Sequence, residues 1–118
     1  KFANIWGVGD VMNTTNAKTM AAARKQAPVV AQNIANAFAK KDVLVSYDGY
    51  GSCPLTVERG KVVLAEFTYG GKLAPSFPSW FNNGTKPTLF SWILKANMLP
   101  FIYWNAMLKG REWMASPK

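Results

Sequence analysis

Tyr47-Asp48-Gly49-Tyr50-Gly51-Ser52-Cys53-Pro54-Leu55-Thr56-Val57 runs directly into Glu58-Arg59-Gly60-Lys61 and then into Val62-Val63-Leu64-Ala65-Glu66-Phe67-Thr68. Residues 55–57 and 62–68 are β-rich, and the Gly60 turn between them predicts an antiparallel hairpin. The first part of the stretch reads differently. Gly49 and Gly51 precede the chain's one cysteine and Pro54 follows it. A segment built this way is bent and locally rigid, and it holds a thiol at a fixed point. Two readings of Cys53 stand together: a small buried hydrophobe, as free cysteines usually are, or a redox or nucleophilic thiol.

Upstream of this stretch, residues 2–7 read as a short buried strand ending in the tight turn Gly7-Val8-Gly9-Asp10. Asn13, Thr14, Thr15 and Asn16 are loop and cap residues. A long helix is expected over residues 17–39, rich in alanine and interrupted by Pro28, which should kink it. Val30, Ile34 and Phe38 mark its apolar stripe. Residues 43–47 form a further β-like run. Downstream, residues 69–86 are a loop punctuated by Gly70-Gly71, Pro75, Pro78 and Asn82-Asn83-Gly84. Two helices are expected after it, over 87–98 and 100–109, with Pro87 and Pro100 at first helical positions and Gly110 as a stop. A lone N-terminal strand and an unsupported helix suggest a C-terminal fragment of a larger protein, or one piece of an assembly.

The chain has 118 residues, a net charge of +8, one cysteine and no histidine. An internal disulfide is therefore excluded, and so is any His-based metal site or triad built from this chain alone. No acid stands between Glu66 and Glu112, while Lys72, Lys86, Lys95, Lys109 and Arg111 do. That window also carries Trp80, Trp92 and Trp104. Basic charge with tryptophan and aliphatic residues suits an anionic bilayer surface better than nucleic acid. Lys95, Lys109 and Arg111 are placed to reach lipid headgroups. No stretch attains the roughly 18 uninterrupted apolar residues of a spanning helix.

Three further groups could carry chemistry. Gly9 and Asp10 stand before a helix start, where a carboxylate and free N–H groups would meet a polar ligand; a plain strand-to-helix turn capped by Asp10 is the alternative. Lys18 and Thr19 open the helix, as solvated residues or beside a ligand carrying negative charge. Lys86 precedes the first oily helix, either snorkelling at its start or donating to a ligand acceptor.

Taken together, the residues resemble sulfide:quinone oxidoreductase, a family of membrane-associated flavoproteins with two dinucleotide-binding domains. The matching stretches are residues 5–10, 16–19, 24–31, 47–57 and 60–67, ending with Lys95-Ala96-Asn97-Met98-Leu99-Pro100-Phe101-Ile102-Tyr103-Trp104-Asn105. The resemblance implies an α+β fragment. Residues 1–42 would close an FAD-binding Rossmann-type α/β domain, and 43–86 would carry the hairpin, loop and redox cysteine. Residues 87–118 would form two amphipathic membrane-binding helices.

It implies FAD as cofactor, held through Gly9, Asp10, Lys18, Thr19 and Lys86. Cys53 would be one of a redox cysteine pair. A quinone pocket would be lined by Pro54, Leu55, Leu89 and Phe90. Hydrogen sulfide, membrane quinone, the lipid surface and the rest of the same polypeptide are the implied partners. A homo-oligomer is left open, and neither nucleic acid nor a metal is expected. The implied location is monotopic, on a bacterial inner membrane. The family's glycine-rich phosphate loop and partner cysteine are not among these residues, so the segment alone should be inactive. Flavocytochrome c sulfide dehydrogenase and type II NADH:quinone oxidoreductase are the enzyme alternatives. The first has no need of the oily helices and the second none of Cys53. A non-catalytic membrane-binding module is the alternative of another class.

Overall fold

The computed structural model describes residues 2, 4–42, 44–111 and 114–117. Expectations that touch Lys1, Ala3, Val43, Glu112, Trp113 or Lys118 lie, at those positions, outside the described residues. The chain forms a small α+β unit. Helix α1 spans Met20–Phe38. Strands β1, Gly51–Glu58, and β2, Lys61–Phe67, pair as one antiparallel hairpin. A helical run follows: α2 at Leu89–Ile93, a π-helical turn at Leu94–Met98, and α3 at Leu99–Asn105.

Helix α1 begins where Thr19 allows it. The Thr19 hydroxyl accepts the Ala22 N–H at 3.2 Å, satisfying one of the free donors of the first turn. The helix continues through Pro28 to Phe38, and Lys40 beyond its cap, at φ 53°, takes the left-handed stop usually given to glycine. Its buried face is Ala22, Gln26, Val29, Asn33 and Asn36, spaced by four and three residues. This replaces the expected Val30–Ile34–Phe38 stripe, of which Phe38 is 86% exposed. The reason is what α1 packs on. Asn33 Nδ2 donates to the Val45 carbonyl and the Val45 N–H donates to Asn33 Oδ1, both at 2.9 Å. Gln26 Oε1 accepts the Gly9 N–H at 2.8 Å. The buried amides supply hydrogen bonds that a neighbouring strand would otherwise provide.

The expected strands at 2–7 and 43–47 do not form among the described residues. Residues 44–47 run without strand pairing beside α1, and the N-terminal stretch makes only a 3-10 turn, Gly9–Val11. A strand needs a paired neighbour, and the sheet of the described residues holds only β1 and β2.

The hairpin is longer than its aliphatic core suggests. Gly51 already pairs with Phe67, followed by Ser52 with Glu66, Cys53 with Ala65, Pro54 with Leu64 and Leu55 with Val63. The turn uses Gly60 at φ 81°, with a register shift between Thr56 and Glu58. The bend before β1 is fixed at Gly49. Its φ is 82°, and a Cβ there would lie 2.3 Å from the Tyr69 ring.

Thr88 joins the hairpin to the helical run. Its backbone exchanges hydrogen bonds with Val62, at 3.0 and 3.3 Å, and its hydroxyl caps α2 by accepting the Ser91 N–H at 3.1 Å. The two expected C-terminal helices are one run instead. Pro100 has no N–H, and its ring crowds the carbonyl one turn back, which would break a plain α-helix. Widening the preceding turn to π geometry accommodates it, and the Leu99 N–H bonds to the Leu94 carbonyl. Gly110, at φ 70°, stops the short turn Met107–Lys109.

The buried apolar core is small: Ala22, Val29, Val62, Leu64 and Ala115. The accessible surface is 8335 Å². A compact chain of 13.0 kDa would show roughly 6,300 Å². The radius of gyration is 16.0 Å, against about 13.5 Å for a compact chain of this length. Phe101, Trp104 and Leu108 are among the exposed apolar residues. Among the described residues no helix is long and apolar enough to cross a membrane.

Candidate functional site

Side chains alternate across a strand, so the hairpin has two faces of different character. Gly51, Cys53 and Leu55 of β1 share one face with Val63, Ala65 and Phe67 of β2. Cys53 is a half-buried free thiol there. Ser52, Pro54, Leu64 and Glu66 lie on the other face, beneath the helical run. Cys53 and Pro54 are neighbours in sequence and stand on opposite sides of the sheet.

The second face forms the floor of a groove of about 540 Å³. Its walls are Met20 and Arg24 of α1 and Leu94, Lys95, Leu99, Pro100, Tyr103 and Trp104 of the helical run. The groove is mostly apolar with a polar floor. Glu66 is only 5% exposed. Its Oε1 accepts the Tyr50 hydroxyl at 2.5 Å and also the Ser76 hydroxyl, and its Oε2 accepts the Ser76 N–H at 2.9 Å. Burial, together with the hydrogen bond to Glu66, pushes the Tyr50 phenol up to about 12, so it stays protonated. Lys95 Nζ donates to the Pro54 carbonyl and to Thr56 Oγ1, both at 2.8 Å. The expectation that Lys95 reaches outward to headgroups is thereby corrected. Two oxygens on β1 draw its ammonium inward, while Lys109 and Arg111 are exposed.

The loop before β1 is held from several sides. Asp48 Oδ2 pairs with Lys25 Nζ at 2.8 Å, and that ammonium lies 4.8 Å from the Tyr50 ring centroid. Asp48 Oδ1 accepts the Tyr50 N–H at 3.1 Å, and Asn16 donates to the Gly49 carbonyl at 2.6 Å. The Tyr47 phenol is also held above its usual range, first by burial and then by the Tyr69 and Asp48 charges.

Four of the expected cofactor residues lie close together at the start of α1. Gly9 has a φ of 74° and Asp10 is exposed beside it. Lys18 Nζ donates to the Asp10 carbonyl at 2.6 Å, and Thr19 caps the helix. The Thr19 hydroxyl also approaches Gly51, 3.5 Å from where a Cβ would stand, so this cluster adjoins the beginning of β1. Lys86 is exposed in the turn that begins at Asn83. Of the expected quinone-lining residues, Pro54 lies in the groove. Leu55 stands on the Cys53 face, 49% exposed. Leu89 is 61% exposed near Gly60, and Phe90 packs with Phe77 and Phe81.

Glu66 and Tyr50 are the groove residues that sequence reasoning did not single out. A signal for Glu66 existed: it continues the Val62–Leu64 alternation that marks the buried face of β2.

No family model matches the chain. Individual proteins do. Sulfide:quinone oxidoreductase, mitochondrial, of Schizosaccharomyces pombe is 38% identical over 98% of the chain. Its counterparts in Dictyostelium discoideum and Mus musculus are 39% and 36% identical over 94% and 93%. By this similarity the chain belongs to the sulfide:quinone oxidoreductase family, matching a C-terminal segment of these proteins. It spans about a quarter of their length, 24–26%. These relatives are eukaryotic and named mitochondrial, so they give no support to the expected bacterial inner membrane.

Proposed function

We propose that the chain is the C-terminal part of a flavoprotein that oxidises hydrogen sulfide to sulfane sulfur and reduces membrane quinone. The identity of 36–39% to three proteins of that name, over almost the whole chain, carries the reading. The two-faced hairpin supports it. One face presents a thiol for sulfur chemistry, and the other floors an apolar groove of a size suited to a quinone ring. Residues 1–42 would complete the cofactor domain, 43–86 carry the redox cysteine, and 87–118 meet the bilayer.

The residues at the start of α1 fit FAD. The exposed Asp10 carboxylate can accept from ribityl or ribose hydroxyls. The left-handed Gly9 leaves room for close approach, and Lys18 with the helix N-terminus suits the electron-rich end of a flavin ring. Bound there, FAD would supply the two-electron chemistry between sulfur and quinone. Cys53 would contribute one sulfur of the redox pair, its partner coming from outside these 118 residues. Thiol–disulfide exchange needs a thiolate and an accessible sulfur, and a half-buried strand position provides orientation with access. In the groove, Pro54, Leu94 and Leu99 would exclude water, and Lys95 would offer its remaining N–H to a quinone oxygen.

The exposed apolar surface of the helical run, Phe101 and Trp104 with Lys109 and Arg111 nearby, would rest in the headgroup region of a quinone-containing membrane. The test uses the complete protein under anaerobic conditions. Added sulfide should bleach the flavin absorbance, and added decylubiquinone should restore it. A flavin that sulfide leaves oxidised would overturn the reading.

A further inference from the structure

Glu66 is a buried carboxylate in the wall between two cavities. On one side lies the apolar groove, where Tyr50 stands beside it. On the other lies a smaller cavity of about 140 Å³, lined by Glu66 with Ser79, Asn82, Asn83 and Thr85. Ser76, which donates to both Glu66 oxygens through its N–H and hydroxyl, is exposed. The chain water–Ser76–Glu66–Tyr50 therefore runs from the surface to the groove floor without a break. Burying a carboxylate is costly even when it is fully hydrogen-bonded, and an apolar residue at position 66 would complete the Val62–Leu64 face of β2.

We propose that Glu66 and Tyr50 form a proton relay that delivers a proton from water to an oxygen of a quinone bound in the groove. The relay rests on the quinone reading above. Quinone reduction takes up two electrons and two protons, converting two C=O groups to C–OH. Bound flavin would supply the electrons and one proton. The other proton passes from the Tyr50 hydroxyl to a quinone oxygen, and the phenol regains a proton from water by way of Ser76 and the Glu66 carboxylate. The titratable and charged groups sharing the groove are Arg24, Lys95 and Tyr103. Of these, Lys95 donates to two oxygens of β1 and keeps one N–H for the groove.

The test uses the complete flavin-loaded protein and three measurements: decylubiquinone binding by quenching of tryptophan fluorescence, flavin reduction by sulfide, and flavin reoxidation by decylubiquinone. In Glu66→Gln flavin reduction by sulfide should be unchanged, and the binding measurement separates a slowed proton step from weakened quinone binding. Reoxidation should slow by about 100-fold, the scale of one general acid, and added formate should restore part of it. Tyr50→Phe should show the same slow reoxidation without rescue by formate, and it decides the matter if Glu66→Gln does not fold. Reoxidation at the wild-type rate in either folded variant overturns the relay. So does slow reoxidation that follows lost quinone binding and resists formate in Glu66→Gln. Wild-type protein that sulfide does not reduce, or that decylubiquinone does not reoxidise, overturns the quinone reading itself.

Discussion

Lys95 Nζ lies 2.8 Å from the carbonyl oxygen of Pro54, joining residues 41 apart in sequence. This bond, with its companion to Thr56 Oγ1, ties the helical run to β1 immediately after Cys53. It closes one wall of the groove and sets the strand that carries the thiol.

Lys95→Met should therefore loosen the groove. The substitution keeps most of the apolar stem and removes two charge-assisted hydrogen bonds, leaving the Pro54 carbonyl short of a donor. The expected loss is about 1–3 kcal/mol, read as a lower urea midpoint of the complete protein. The Michaelis constant for decylubiquinone should rise with it. An unchanged midpoint and constant would mean that the bond contributes nothing to either.

Tyr50 predicts a specific alkaline behaviour. Its phenol is held at about 12 instead of 10.0. The folded state thus keeps a proton that the unfolded chain has lost. The stability from this group is fully present below pH 10 and falls as pH rises from about 10 through 12. Spectroscopic titration of the tyrosines should show a late ionising step that disappears in Tyr50→Phe. A Tyr50→Phe titration identical to wild type at the high end would contradict the assignment.

The exposed apolar residues of the helical run predict a lipid surface. Phe101 is 67% exposed and Leu108 56%. Phe101→Glu with Leu108→Glu removes two apolar contacts and adds charge next to anionic lipid. Cosedimentation with phosphatidylserine-containing vesicles should fall at least tenfold, since each buried side chain contributes about 1.5–3 kcal/mol. Flavin reduction by sulfide should persist, because neither residue belongs to the thiol face of the hairpin. Unchanged cosedimentation would show that another surface meets the membrane.

Much of this architecture is legible in the residues. The alanine-rich segment gives α1, and Gly60 between two β-rich runs gives the hairpin. Other features depend on partners distant in sequence. The strand expected before Gly7 has no neighbour to pair with among the described residues. Helix α1 turns Gln26 and Asn33 inward to bond the backbone at Gly9 and Val45, which no hydrophobic periodicity reveals. Pro100 looks like a helix start from local rules, yet a π turn carries the helix through it.

The site divides in the same way. Cys53 and the Gly9–Thr19 cluster stand out from residue type and spacing. The groove arises from contacts between residues 20–24, 50–66 and 94–107, so Lys95 and Glu66 gain their places only in the folded chain. Strand alternation explains why Leu55 does not join Pro54 there.

The central claim is that Cys53 performs the sulfur chemistry of a sulfide-oxidising, quinone-reducing flavoprotein. The most direct measurement is sulfide-dependent decylubiquinone reduction by the complete protein carrying Cys53→Ser, a nearly isosteric change at a half-buried strand position. The account predicts retained flavin and fold, with the rate lowered by about a thousandfold or more, as for removal of a covalent nucleophile. A Cys53→Ser protein that reduces quinone with sulfide at the wild-type rate would contradict it.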